Sequence, residues 1–128
     1  MAEEIASALQ DRNEHSVMSE FIGHNISWDL RFLWQRTVAN RLRLPIRWHQ
    51  DARPGSDKLF DTMTAWAGYG GRISLERLCR ALNLPSPKGD MDGSRVWDYY
   101  QNGRLDEIAA YCAGDVETVR TIHARMRT

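Results

Sequence analysis

One carboxylate in this sequence stands where packing alone would not put it. In "IAAYCAGDVETV", residues 108–119, helical spacing aligns Ile108, Cys112, Val116, Val119, Ile122 and Met126 as one apolar stripe, and Asp115 falls inside it. Tyr111 lies one turn earlier, at the edge of the stripe. A carboxylate taken out of water binds a proton unless a donor, a cation or a metal compensates its charge. Two readings of Asp115 are therefore open: an acid bonded to an arginine or a helix N-terminus in the core, or a metal ligand. Tyr111 supports the second, because residues i and i+4 are neighbours on a helix. A phenol placed there can orient a water that a carboxylate-bound metal has polarised.

Asp29 is the second candidate. "FIGHNISWD" places it where a strand gives way to a helix, at the carboxyl end of the strand, where α/β proteins gather their ligand groups. An acid in a first helical turn also complements the helix dipole without any chemistry. Asn25 and Trp28 stand beside it, an amide and an indole suited to a nucleotide's sugar and base. Asp61, in "LFDTM", begins like a metal-binding D-x-E strand, but the third position is Met63, which cannot bind a hard cation, so Asp61 reads as structural. Asp90 and Asp92 read as turn residues of a glycine-containing loop. His15, His24, His49 and His123 show no ligand spacing, and only His24 adjoins a candidate residue.

The elements that must hold these groups follow from periodicity and punctuation. Residues 2–12 read as a helix, "EFIGH" as a short strand, and "SWDLRFLWQRTVANRL" as an amphipathic helix with Leu30, Leu33, Trp34, Val38 and Leu42 on one side. A loop over residues 45–57, marked by Pro45, Pro54 and Gly55, leads to a second strand, "KLFDTM", and a flexible connection, "AGYGGR". Ser74 is a helix N-cap with Glu76 in the first turn, and that helix buries Leu75, Leu78 and Leu82. After a second irregular loop, "SRVWDYYQN" forms a short helix that stops at Gly103, and the last helix runs from about Arg104 to Arg127. Two or three strands and five helices make an α/β pattern with too few strands for a complete sheet.

Composition sets the outer bounds. The 128 residues, 42% hydrophobic and 27% charged, suit one domain spanning 1–128. Seventeen basic and seventeen acidic residues cancel, so no global basic field marks a nucleic-acid binder. Locally, Arg31 to Arg53 contains six arginines and one acid, with Trp34 and Trp48 interleaved: either a basic patch or a solvated helix face running into a loop. Cys79 and Cys112 have no zinc spacing and read as reduced core residues. The N-terminus lacks the pattern of a signal peptide, and no apolar run approaches the roughly 20 residues that span a membrane, so the expected compartment is cytoplasmic.

Two short motifs and the stretch between them carry a resemblance. "GHNISWDLRFL" is similar to the second motif of the exonucleases, in which an Asn precedes an aromatic-Asp pair at the head of a helix. "YCAGDV" is similar to their third motif in its Tyr-x-x-x-Asp form. Between them, "SLERLCRALNLPSPKGDMDGSRVWDYYQNGRLDEIAAYC" resembles the connecting region of a bacterial and phage subgroup. Over about residues 20–125 the chain thus resembles a DEDDy 3'–5' exonuclease, and most of all the predicted exonucleases related to the proofreading domain of family B DNA polymerases.

The resemblance implies a ribonuclease H-like fold and hydrolysis of phosphodiester bonds at nucleic-acid 3' ends, in DNA or RNA, with two Mg²⁺ or Mn²⁺ ions clamping the attacking and leaving oxygens. On that reading Asp29 and Asp115 are catalytic, metal-ligating carboxylates, Tyr111 orients the attacking water, and Asn25 and Trp28 contact substrate. DNA repair is the implied setting. The family's first motif, a D-x-E on the first strand, has no counterpart: nineteen residues precede "EFIGHN", and Glu3 and Glu4 fall on a surface helix. The expected fold is therefore a partial ribonuclease H-like (DEDD exonuclease) α/β fold, helix-rich and lacking the first strands of the sheet. It corresponds to the C-terminal portion of an exonuclease-like domain, either a fragment or a natural short form. Its exposed sheet edge should pair with a second copy or a partner chain, and catalysis should be incomplete in this chain alone. Two other readings stand beside it. One is a non-catalytic nucleic-acid-binding or accessory protein contacting DNA through Arg31, Arg36, Arg41, Arg43 and Arg47. The other is a structural module with no nucleic-acid role.

Overall fold

Parallel pairing of two short strands organises the first half of the chain. The structure, a computed structural model, describes residues 20–43, 48–87 and 93–127. Strand β1 (Phe21–Gly23) leads into helix α1 (Ile26–Ala39), and strand β2 (Leu59–Asp61) runs directly into helix α2 (Thr62–Ala67). The strands pair in register Phe21↔Leu59, Ile22↔Phe60 and Gly23↔Asp61, and α1 lies in the crossover that parallel strands require. Phe21 donates to the carbonyl of Lys58, so alternation turns the peptide groups of Ile22 to the outer edge of β1. The outer edge of β2 is closed at Leu59 by its own preceding turn: Gly55 donates to the Leu59 carbonyl (3.0 Å) and Leu59 to that of Ser56 (3.4 Å).

The chain divides after Gly70 into two compact units. In the first, Leu30, Trp48 and Leu59 form the core, with Phe21, Ile26, Leu33, Trp34 and Ala52 packed against it. Trp48, expected within a basic patch, is buried instead. Its indole Nε1 donates to the Leu30 carbonyl at 2.7 Å and its ring meets Phe21 edge-on at 5.3 Å, which ties the loop after α1 to the helix. The covered side of α1 runs through Leu30 and Thr37 rather than out to Val38, which is exposed. Thr37 can be buried because its hydroxyl donates to the Trp34 carbonyl.

In the second unit, α3 (Leu75–Ala81) packs Leu78 and Cys79 against Ile122 of α5 (Leu105–Met126), with Ile73, Leu75, Leu82, Leu84 and Met126 around them. Ser74 caps α3 as its sequence suggests, accepting from the Arg77 N–H. A 3₁₀ turn (Gly93–Arg95) and α4 (Val96–Gln101) precede α5. Gly103 closes α4 at φ 70°, where Arg104 donates back to the Tyr99 carbonyl. The Arg104 guanidinium lies 4.0 Å above the Tyr99 ring.

The second strand is three residues long, not "KLFDTM", because Asp61 ends it and starts a helix at Thr62. Cys112 is exposed, as is Val116, so the covered face of α5 is offset from the apolar stripe. It follows Ile108, Tyr111, Asp115, Thr118, Val119 and Ile122. The described residues thus form a helix-rich mixed arrangement with a small two-stranded parallel sheet. The helix expected at 2–12, and with it Glu3, Glu4 and His15, lies outside the described residues, as do Arg47, Asp90 and Asp92. Among the described residues no helix is long and apolar enough to cross a membrane.

Candidate active site

At the carboxyl ends of β1 and β2 the chain makes two sharp exits, and side chains of one grip the backbone of the other. Asn25, the N-cap of α1, sits in the left-handed region at φ 57° and ψ 38°, and its side chain makes no capping bond. Asparagine tolerates this conformation better than most residues. Its own N–H instead donates to Asp61 Oδ1 at 2.9 Å, and the same oxygen accepts from the Met63 N–H at 2.9 Å to cap α2. The Thr62 hydroxyl donates to the Gly23 carbonyl (3.2 Å) and lies 2.9 Å from His24 Nδ1. Asp61 and Thr62 are 4% and 0% exposed.

Asn25, Trp28 and Asp29 fall within the cap and first turn of α1, the arrangement their spacing suggests. Partial desolvation holds the Asp29 carboxyl above the usual carboxylate range; a backbone N–H opposes the shift and the negative charge of Asp61 adds to it. Asp61, read from sequence as structural, is therefore an electrostatic neighbour of Asp29 as well as a cap. Trp28 is 61% exposed and stacks on Phe32, centroids 5.2 Å apart and planes 5° apart. Together with Arg31 and Gln35 the pair lines an open groove along α1. Arg31 is bridged to Asp51 at 2.8 Å. Phe32 had no place in the sequence reading, although its spacing of four from an exposed aromatic was the available signal.

Tyr111 and Asp115 lie in the second unit, one turn apart on the half-buried face of α5. Desolvation raises the Asp115 carboxyl above its ordinary range. Burial likewise raises the Cys79 thiol of α3, and the charge of Asp115 adds to that shift. In the folded unit Asp115 is half-buried, while its stripe neighbours Cys112 and Val116 are exposed.

Among the described residues no group of three or more His, Cys, Asp or Glu is gathered as a metal cluster would need. Asp61 has one oxygen committed to two backbone N–H groups, which leaves Asp29 as the open carboxylate of the first unit's site. A two-ion centre is thus not assembled from the described donors of either unit alone.

Comparison with known proteins adds one match. Over residues 9–128 the chain matches the family described as predicted 3'-5' exonucleases related to the exonuclease domain of PolB. Neither the curated proteins nor the solved structures yield a match.

Proposed function

Because the chain belongs to the family of predicted 3'-5' exonucleases related to the exonuclease domain of PolB, we propose that it serves phosphodiester hydrolysis at nucleic-acid 3' ends. The observation that carries this reading is the family match over residues 9–128, supported by the two carboxyls, Asp29 and Asp115, that partial desolvation raises and that the resemblance assigns to the second and third motifs. A carboxyl raised by desolvation is one whose negative charge lacks compensation, and a bound cation supplies that compensation. Asp29 and Asp115 are each assigned as an oxygen ligand for a divalent ion, Mg²⁺ or Mn²⁺. Such ions take one or two carboxylates and fill their remaining positions with water and substrate phosphate oxygens. The further acids of a two-ion centre would come from outside the described residues.

The chain's own groups then have distinct tasks. Tyr111 orients the attacking water from one turn before Asp115. Asn25 and Trp28 contact the terminal nucleotide, with the exposed Trp28–Phe32 stack offering a base a flat apolar surface. The peptide groups of Ile22, unpaired with β2, offer a place for a further strand, and we assign completion of the partial ribonuclease H-like sheet to that edge.

The test is hydrolysis of 3'-labelled single-stranded DNA and RNA with Mn²⁺, comparing the wild type with Asp29→Ala and Asp115→Ala. Loss of cleavage in both variants, with folding retained by circular dichroism, is expected; cleavage unchanged by Asp115→Ala would sink the assignment. The absence of a three-donor cluster among the described residues favours a second reading, binding of nucleic acid without cleavage. That protein would bind single strands through Trp28, Arg31 and Arg36 with strong salt dependence and cleave nothing under either metal.

A further inference from the structure

Asn25, Trp28 and Asp29 occupy one turn at the start of α1, and two buried side chains from the end of β2 hold that turn. The Asn25 side chain makes no capping bond, and locally only its carbonyl is held, accepting from the Trp28 N–H at 3.2 Å. Its N–H is held instead by the Asp61 carboxylate, 36 residues away in sequence. Thr62 fixes the two preceding residues, its hydroxyl donating to the Gly23 carbonyl and lying against His24 Nδ1. Three consecutive residues of one strand exit are thus bonded by two consecutive residues of the other. An ordinary N-cap serves only its own helix; Asp61 caps α2 and with the same oxygen anchors α1.

We propose that Asp61 and Thr62 act together as positioning residues, gripping Gly23, His24 and Asn25 so that the first turn of α1 presents Asn25, Trp28 and Asp29 in one fixed arrangement. What is presented, and to which substrate, rests on the exonuclease reading. The grip itself does not. Charge-assisted bonds to backbone N–H groups are stronger than neutral ones, and both side chains are buried, where water cannot replace them.

The experiment uses the full chain with Asp61→Ser, Asp61→Asn and Thr62→Val. Serine keeps a good cap for α2 but is too short to serve both helices; asparagine keeps the size and an acceptor oxygen; valine keeps the shape of Thr62 without its hydroxyl. Two readouts are taken: the amide exchange rate and Cα chemical shift of Asn25 by NMR, and kcat and KM on 3'-labelled single-stranded DNA with Mn²⁺. In Asp61→Ser the Asn25 amide should exchange about tenfold faster and its shift should leave the left-handed range, while kcat falls about tenfold with KM changed less than about twofold. Thr62→Val should move both readouts in the same direction, and Asp61→Asn should restore kcat to within about threefold of wild type. An Asn25 signature unchanged in both Asp61→Ser and Thr62→Val would overturn the proposal, as would a released Asn25 with full kcat. A wild type that cleaves nothing with Mn²⁺ or Mg²⁺ would count for binding without cleavage by this chain alone, and the Asn25 readout would still decide whether the pair grips the turn.

Discussion

Replacing Gly23 with alanine should push the start of α1 away from the strand ends. The glycine is not there for an unusual φ; it is there for space. A Cβ at position 23 would lie 2.7 Å from Ile26 Cδ1 and 2.8 Å from Ile26 Cβ, where ordinary contact begins at 3.4 Å. The Cδ1 contact can be relieved by rotating the side chain. The Cβ contact cannot, because that atom is fixed to the backbone, so the helix start must retreat by about 0.6 Å (3.4 − 2.8). Overpacking of this kind costs roughly 1–3 kcal/mol, which for a chain of this size lowers Tm by roughly 4–12 °C. Thermal unfolding followed by circular dichroism measures it, with the double variant Gly23→Ala/Ile26→Ala completing a cycle. The second substitution removes Cγ1 and Cδ1 but leaves the offending Cβ, so it should recover only part of the loss. A Tm within about 1 °C of wild type, or complete recovery in the double variant, would refute the close approach.

Further outcomes follow from the two cores and the exposed thiol. The Asp115 carboxyl is raised in the folded protein, so the folded state binds its proton more tightly than the unfolded one, and this contribution to stability is lost as pH rises through the window above the ordinary carboxylate value. Asp115→Asn should therefore raise Tm at neutral pH and flatten its dependence between acid and neutral conditions; a neutral-pH Tm at or below wild type would contradict the desolvation. Trp48→Phe removes the indole donor to the Leu30 carbonyl and should cost roughly 1–3 kcal/mol in urea unfolding. Iodoacetamide should modify Cys112 alone in the native protein, read by mass spectrometry, because Cys79 is wholly buried and its thiol is held protonated.

Long periodic elements were legible from sequence, and short ones were not. The last helix is 22 residues with caps at Arg104 and Arg127, close to its expected span, because many turns of apolar spacing add up. Ser74 and Gly103 were readable for a different reason: each acts through bonds to residues only a few positions away. Helix α2, six residues, has too few turns to show a period, and its start was read as strand. The same short range explains Asp61. Its cap bond to Met63 is local and could have been found from an Asp before a helix, but its bond to Asn25 exists only because two parallel strands end side by side. The half-buried acid of α5 was visible as a polar residue in an apolar face; the exposure of Cys112 and Val116 was not, because which arc of a helix is covered depends on the neighbours that pack against it.

The closed outer edge of β2 bears on what this chain can build. A sheet with two bare edges can add copies without end, and filaments follow from that. Here the turn at Gly55–Ser56 already occupies the peptide groups of Leu59, so backbone pairing is closed at that position and open beside Ile22. Two copies meeting there would form one four-stranded sheet in the order β2-β1-β1-β2, with a blocked strand at each end. Growth by strand addition would stop at two. The arrangement favours a finite pair or a single inserted strand at this edge, and the two hydrogen bonds that finish the turn work against an endless ribbon.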